Sequence, residues 1–321
     1  MSTARDLAQR TATWHRPMMV LAGAMAVMTV VSIGGLLFDD RVLIGAPIWL
    51  KPFKFAVSIG IYGLTWGWMV SLLPKRKWAN RLSTGIVAIL FLEYALLLVQ
   101  AIRGHAMHFN VATPLDSTLW SVMGSSIVVL WLFTLALTGL MFRAKIADAA
   151  SRWAIRLGGV LSLIGLGLGF LMTGPTARQM ATMKSGAAPT FIGAHSVGVE
   201  DGGPIMPITG WSTTGGDLRI PHFVGMHALQ ALPLFVLLLG VLAIRIPRLR
   251  SGVARLRLTF VAAGFYAGLT GLVTWQALRG QSLIHPDGLT WLALAGLTGL
   301  AAIAGLWAVS TPADDRDLVA A

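Results

Sequence analysis

Residues 83–105 read STGIVAILFLEYALLLVQAIRGH. Between Ser83 and Arg103 the only ionisable carboxyl is Glu93, and nearly everything else is apolar. A helix crossing the roughly 30 Å hydrocarbon layer needs about 20 such residues. The stretch therefore predicts a transmembrane helix that ends at Arg103 and Gly104 and opens onto His105 and His108. Seven further stretches read the same way, at 17–38, 53–73, 118–142, 157–173, 222–244, 258–278 and 289–309.

The composition agrees with that reading. Charged residues make up 12% of the 321 residues and hydrophobic ones 55%; soluble proteins carry roughly 25% charge. The mean hydropathy is +0.73. Cysteine is absent, which excludes disulfides, thiolate metal sites, cysteine-ligated iron–sulfur clusters and a cysteine nucleophile. The first span is about 22 residues long, more than the 7–15 of a signal-peptide core, so it predicts an uncleaved anchor. Trp14, Trp49, Trp78, Trp120, Trp153, Trp275, Trp291 and Trp307 stand near span ends, as interfacial aromatics do. Gly158, Gly159, Gly165, Gly167 and Gly169 predict that the fifth span packs closely against its neighbours.

The net charge of +12 comes from 25 Lys and Arg against 13 Asp and Glu. Seventeen of the cations lie in the N-terminal segment, the 74–82, 143–156 and 245–257 turns and the C-terminal tail. The positive-inside rule places those segments in the cytoplasm. No nucleic-acid motif or aromatic-basic interleaving accompanies the charge, so no nucleic-acid partner is expected.

A repeat is visible across the chain. Gln100-Ala101-Ile102-Arg103-Gly104 closes the third span, and Gln276-Ala277-Leu278-Arg279-Gly280 closes the seventh. Lys51-Pro52-Phe53 opens the second span and Ile220-Pro221-His222 the sixth. Correspondence four spans apart on the same side predicts a parallel duplication, with two four-helix units related by an axis along the membrane normal. The expected fold is an all-α integral membrane protein of eight transmembrane helices in a 4+4 arrangement. Residues 1–16 form a cytoplasmic segment, 17–142 the first unit, 157–309 the second and 310–321 a cytoplasmic tail. The 48-residue connection 174–221 is rich in Gly, Pro, Thr and Met and carries Phe191, Ile192, Ile205, Met206, Ile208 and Trp211. It is expected to fold as an extracytoplasmic lid.

Six of the seven histidines map to the lid side: His105, His108, His195, His222, His227 and His285. His105 and His108 would share a face if the third helix continued past Gly104. His222 and His227 stand about 140° apart on a helix, so they meet only if the first turn is unwound. Imidazole suits Zn, Cu, Fe and Ni, and two facing imidazoles ligate haem. His105, His108, His222 and His227 are therefore the candidate ligands of a haem b or a divalent metal. The plain alternative for each is a hydrogen bond to headgroups or loop carbonyls.

Lys51, Lys54, Arg103, Arg219 and Arg279 gather on the same side, where cations are disfavoured. Either they snorkel to headgroups, or they bind a small anionic ligand, for which the planar fork of arginine is suited. Gln100, Gln230 and Gln276 are further candidate substrate contacts. Glu93 lies mid-span, where an ionisable group is costly and points to function. It is expected either to relay protons with Arg103 and Arg279 as the chemically active set, or to sit protonated on a serine such as Ser32, Ser58, Ser125 or Ser126. P-loop, HExxH and G-x-S-x-G patterns are missing.

In plan the chain is similar to haem A synthase and other b-type cytochromes, with eight spans and lid-side histidines. The Glu-x-x-His-Arg pattern of haem A synthase is missing, and no residue roles follow from the likeness. Three functions fit the sequence: a haem- or metal-binding membrane oxidoreductase, a secondary transporter of a small anion or proton-coupled solute, and a sensor or assembly factor without catalysis.

Overall fold

The computed structural model describes residues 13–310; the predicted cytoplasmic placement of the two termini falls largely outside them. The chain is helical almost throughout. Helix α1 (Arg16–Phe38) is followed by a hairpin of β1 (Val42–Leu43) and β2 (Ala46–Pro47). Then come α2 (Leu50–Ser71), α3 (Lys77–Arg103), α4 (Pro114–Met141) and α5 (Ala149–Leu168), the last prolonged by a 3-10 turn over Gly169–Met172. The lid segment holds α6 (Ala177–Lys184), β3 (Ser196–Val197) and β4 (Gly216–Asp217). Helices α7 (Arg219–Met226), α8 (Ala228–Leu242), α9 (Gly252–Leu278) and α10 (Gly288–Ser310) complete the fold.

Among the described residues six helical segments are long and apolar enough to cross a membrane: α1, α3, α4, Ala149–Lys184, α9 and α10. A seventh is counted if α7 and α8, bent by 45° at His227, form one broken span. The chain is thus an all-α, multi-pass membrane protein. Eight uniform spans are not what it contains. Over the predicted second span, α2 has Lys51 and Lys54 in its first turns and Gly60, Gly63 and Gly67 further along, all of which dilute its apolar character. The predicted sixth span is not continuous either.

Local chemistry sets the boundaries. Thr113 caps α4 by accepting from the Asp116 amide at 3.1 Å, and Asp148 caps α5 by accepting from Ser151 at 2.7 Å. Gly104 ends α3 with φ 71°, the left-handed conformation that glycine adopts without a Cβ clash. Large apolar side chains such as Val27, Val30, Leu237, Leu292, Leu300 and Ile303 face outward, which hydrocarbon tolerates and water does not.

Several interior clusters hold the helices together. One runs across the bundle, packing Met18, Met25, Ile59, Trp66 and Ile86 of α1, α2 and α3 with Leu137 of α4, Ile155 of α5 and Leu229 of α8. Ala150, Ala154, Leu232, Val236 and Ala263 pack between α5, α8 and α9. Helix α5 meets α7 through its glycines: a Cβ on Gly165 would lie 2.1 Å from the Met226 amide nitrogen.

The 174–221 connection is folded. Helix α6 begins with a capping box between Thr176 and Gln179, and β3 pairs antiparallel with β4. Val111 donates to the Thr190 carbonyl at 2.9 Å and Ile192 to the Phe109 carbonyl at 2.8 Å, which ties the lid to the α3–α4 connection. The Ser282 hydroxyl donates to the Ser212 carbonyl at 3.3 Å, which ties it to the α9–α10 connection.

Candidate functional site

The residues that converge at the lid end come from four elements. Lys51 and Lys54 stand in the first turns of α2, and His108 and Phe109 on the α3–α4 connection. The lid contributes His195 and Asp201, and the chain entering α7 contributes Asp217, Arg219 and His222.

Lys51 Nζ lies 2.9 Å from His108 Nδ1, so the ammonium donates and that nitrogen accepts. The His108 ring sits 6.0 Å from the His195 ring and 5.6 Å from Trp120, with Phe55 at 6.1 Å. His195 meets Phe109 edge-on at 4.9 Å. On its other side His195 Nδ1 donates to Asp201 Oδ2 at 2.7 Å. A carboxylate on one ring nitrogen fixes the tautomer and leaves Nε2 with its lone pair. Asp201 also accepts from the amides of His195 and Ser196 at 3.0 and 2.8 Å.

Electrostatics keep the two imidazoles neutral. Burial pushes His195 down to about 4, against the opposing pull of Asp201. Burial, with Lys51 and Arg219 adding positive potential, holds His108 well below the ordinary histidine range. For Asp201 burial acts upward, but the hydrogen bonds from His195 and Ser196 prevail and hold it below the usual carboxylate range.

The cations differ in how they are compensated. Arg219 Nε donates to Asp217 at 2.9 Å, and a second nitrogen reaches the Gly210 carbonyl at 2.7 Å; the Asp217 side chain is 0% exposed. Lys54 donates to the Thr209 carbonyl. Among the described residues neither Lys51 nor Lys54 has a carboxylate at ion-pair distance.

The four candidate metal ligands have different hydrogen-bond partners. The helix stops at Gly104, so His105 and His108 do not share a face. His105 Nδ1 is 3.1 Å from Asp116, away from the Lys51 group. His222 Nδ1 donates to the Gly165 carbonyl at 2.9 Å. His227 stands at the bend between α7 and α8, with Ser58 Oγ 3.3 Å from Nε2 and Gln230 Oε1 3.2 Å from Nδ1. Gln230 continues to Thr65 Oγ1 at 3.3 Å. Among the described residues no three His, Asp or Glu side chains form a metal-binding group.

The two arginines of the matched span ends hold carboxylates of this chain. Arg103 Nη1 reaches Asp116 Oδ1 at 3.0 Å, and Arg279 pairs with Asp287. Each neighbouring glutamine folds onto the carbonyl six residues on: Gln100 Nε2 to Ala106 at 3.2 Å and Gln276 Nε2 to Ser282 at 2.8 Å. Gly104 and Gly280 both take φ 71°. Glu93 is 2% exposed and contacts the Ser126 hydroxyl. That hydroxyl also donates to the Met123 carbonyl at 3.0 Å.

Sequence reasoning passed over His195 with Asp201, and Ser58 with Thr65. The only sequence signal for the first pair was polar residues among glycines in the lid, at 193–203. The second pair is ordinary hydroxyls inside a span, and only the approach of α8 gives them meaning.

A multi-pass helical membrane protein with a cluster of histidines and cations packed under a folded lid is the class that fold and site define. No protein-family model, curated protein or solved structure matches the chain.

Proposed function

We propose that the chain is a secondary transporter of a small anion, coupled to protons, built from two four-helix halves. The eighth membrane crossing is α2, so that both termini stand in the cytoplasm and the lid outside. The duplication is supported by packing that recurs: α1 on α2, α2 on α3, α1 on α3 and α3 on α4 are matched by α5 on α7 and α8, α7 and α8 on α9, α5 on α9 and α9 on α10. A short antiparallel strand pair precedes both α2 and α7, and the Gln-Ala-x-Arg-Gly endings share their hydrogen bonds.

The observation that carries the transport reading is the broken span. The bend at His227 faces Ser58 of the corresponding helix in the other half. Discontinuous helices at a repeat interface are where transporters bind substrate. One helical turn before Ser58 comes Lys54, and another turn before it Lys51, whose charge lacks a carboxylate. An anionic ligand supplies the missing charge at Lys51 and Lys54. His195, oriented by Asp201, takes or returns its proton, and Glu93 gives a second protonatable group deeper in the bilayer.

Purified protein in proteoliposomes, loaded and challenged with radiolabelled small carboxylates across a pH gradient, tests this. Uptake should follow the gradient and fall about tenfold or more in Lys51→Met, the cost of one charged hydrogen bond. Absence of uptake, or uptake indifferent to both the gradient and Lys51→Met, sinks the reading.

A haem-binding oxidoreductase is the second reading. It is favoured by the His222–Gly165 contact, since an imidazole that donates Nδ1–H to a carbonyl presents an oriented Nε2 to a metal. A Soret band in the purified protein would select it.

A further inference from the structure

Along the outside of the bundle α4 and α5 leave a groove that runs from the α4–α5 connection toward the lid end. Its volume is about 410 Å³, and its walls are Trp131, Leu135 and Phe142 of α4 with Val160, Ile164 and Gly167 of α5. From Trp131 to Phe142 is eleven residues, about 16 Å at 1.5 Å per residue. That is about half the ~30 Å hydrocarbon thickness, the depth of one leaflet.

The groove ends at positive charge. Arg156 lies on the α5 face that continues through Val160, Ile164 and Gly167, one and two turns and about three turns away. Its guanidinium stands 5.3 Å from the Phe142 ring and 5.4 Å from the Trp153 ring. One nitrogen donates to the Phe142 carbonyl at 2.7 Å, and no carboxylate of the described residues lies within ion-pair distance. Arg152 is one turn away, a like-charge i,i+4 pair that is unfavourable unless an anion intervenes. Its single hydrogen bond goes to the Ile146 carbonyl at 3.0 Å. Asp148, the nearest acid in sequence, is occupied with Ser151 and Arg255. Inside the groove Thr138 is 3% exposed, and its hydroxyl has no hydrogen-bond partner.

We infer that this groove is a binding site for an anionic phospholipid. One acyl chain lies along Trp131, Leu135, Val160 and Ile164, and the phosphate sits between Arg152 and Arg156. Basic pockets between transmembrane helices recognise anionic headgroups in this way. The lipid would cover the seam where the two halves meet, on the side where Trp131 Nε1 donates to the Leu163 carbonyl at 3.1 Å.

Native mass spectrometry of the full chain in a neutral detergent tests it, with equimolar dioleoyl phosphatidylglycerol and dioleoyl phosphatidylcholine in competition. The wild type should retain phosphatidylglycerol with a preference on the order of tenfold, from two arginines near the phosphate. Arg152→Gln with Arg156→Gln should abolish the preference. Val160→Trp fills the groove from the lipid side without touching the interior, and should lower both adducts. Equal retention of the two lipids by the wild type overturns the proposal, and so does a preference that survives Arg152→Gln with Arg156→Gln, or a level of lipid adducts that Val160→Trp leaves unchanged.

Discussion

A single hydrogen bond gives His195 its chemical character. Its Nδ1 proton is committed to Asp201, and the ring is surrounded by His108, Phe109, Lys51 and Arg219. In the unfolded chain a histidine takes a proton near pH 6.5; in the fold His195 stays neutral down to about 4. Between those values the unfolded state binds more protons, so stability is full above pH 6.5 and is lost as the pH falls toward 4. The loss is on the order of 3 kcal/mol for this residue at most, and His108 works in the same direction. Thermal unfolding in detergent, followed from pH 7.5 to pH 4, should show a falling midpoint, with a shallower fall in His195→Gln. A pH-independent midpoint would contradict the neutral, buried imidazole. At this scale the sequence disclosed which residue types crowd the lid end but not their partners. His105 and His108 looked like a pair because a helix was assumed to continue; Gly104 turns the chain, and one joins Asp116 while the other joins Lys51. Arg103 and Arg279 looked available for a ligand, and the acids that occupy them lie 13 and 8 residues further on, across a turn that hydropathy does not resolve.

Helices were the most legible elements because the bilayer leaves little choice: a backbone in hydrocarbon must satisfy its hydrogen bonds within the segment. What hydropathy could not register is where two backbones touch. Helices α5 and α7 approach so closely that a Cβ on Gly165 would meet Met226 N at 2.1 Å and Gly225 C at 2.2 Å. Backbone atoms cannot rotate away as a side-chain tip does. The five glycines of the fifth span announced close packing, but not that Gly225, in the last turn of α7, is its partner, nor that α7 ends just beyond at the bend. Replacing Gly165 by Ala should therefore force the helices apart and cost about 1–3 kcal/mol or more, the range for overpacked interiors. Gly296 of α10 has open space where its Cβ would go, so Gly296→Ala should leave stability unchanged or slightly raised. Melting of both variants in the same detergent compares them directly. Equal behaviour would mean that α5 and α7 are not in contact through Gly165, and the bend at His227 would lose its anchor.

For the molecule as a whole, the open quantity is the number of crossings, because it decides which segments share a side. Seven crossings are supplied by the apolar helices when α7 and α8 are taken together. The eighth depends on α2, which packs on α1 closely enough that a Cβ on Gly63 would lie 3.1 Å from the Met18 carbonyl. A helix of 22 residues spans about 33 Å, enough for the hydrocarbon layer if Lys51 and Lys54 sit at its lid end among polar partners, as their bonds to His108 and Thr209 place them. The contacts argue the same way: Arg76, just after α2, donates to the carbonyl of Thr13, just before α1, at 3.2 Å, so α2 brings the chain back to the end from which α1 starts. The absence of cysteine makes the count directly measurable with single introduced thiols. A membrane-impermeant maleimide applied to intact cells should label Ala187→Cys in the lid. Thr13→Cys, before α1, and Lys75→Cys, between α2 and α3, should react only after permeabilisation. Both positions are exposed, so silence in intact cells reports sidedness and not burial. Labelling of one of the two from outside while the other stays protected would mean that α2 does not cross. In that case the two halves would lose their equivalence, and the facing of Ser58 and His227 would no longer be a contact between matched spans.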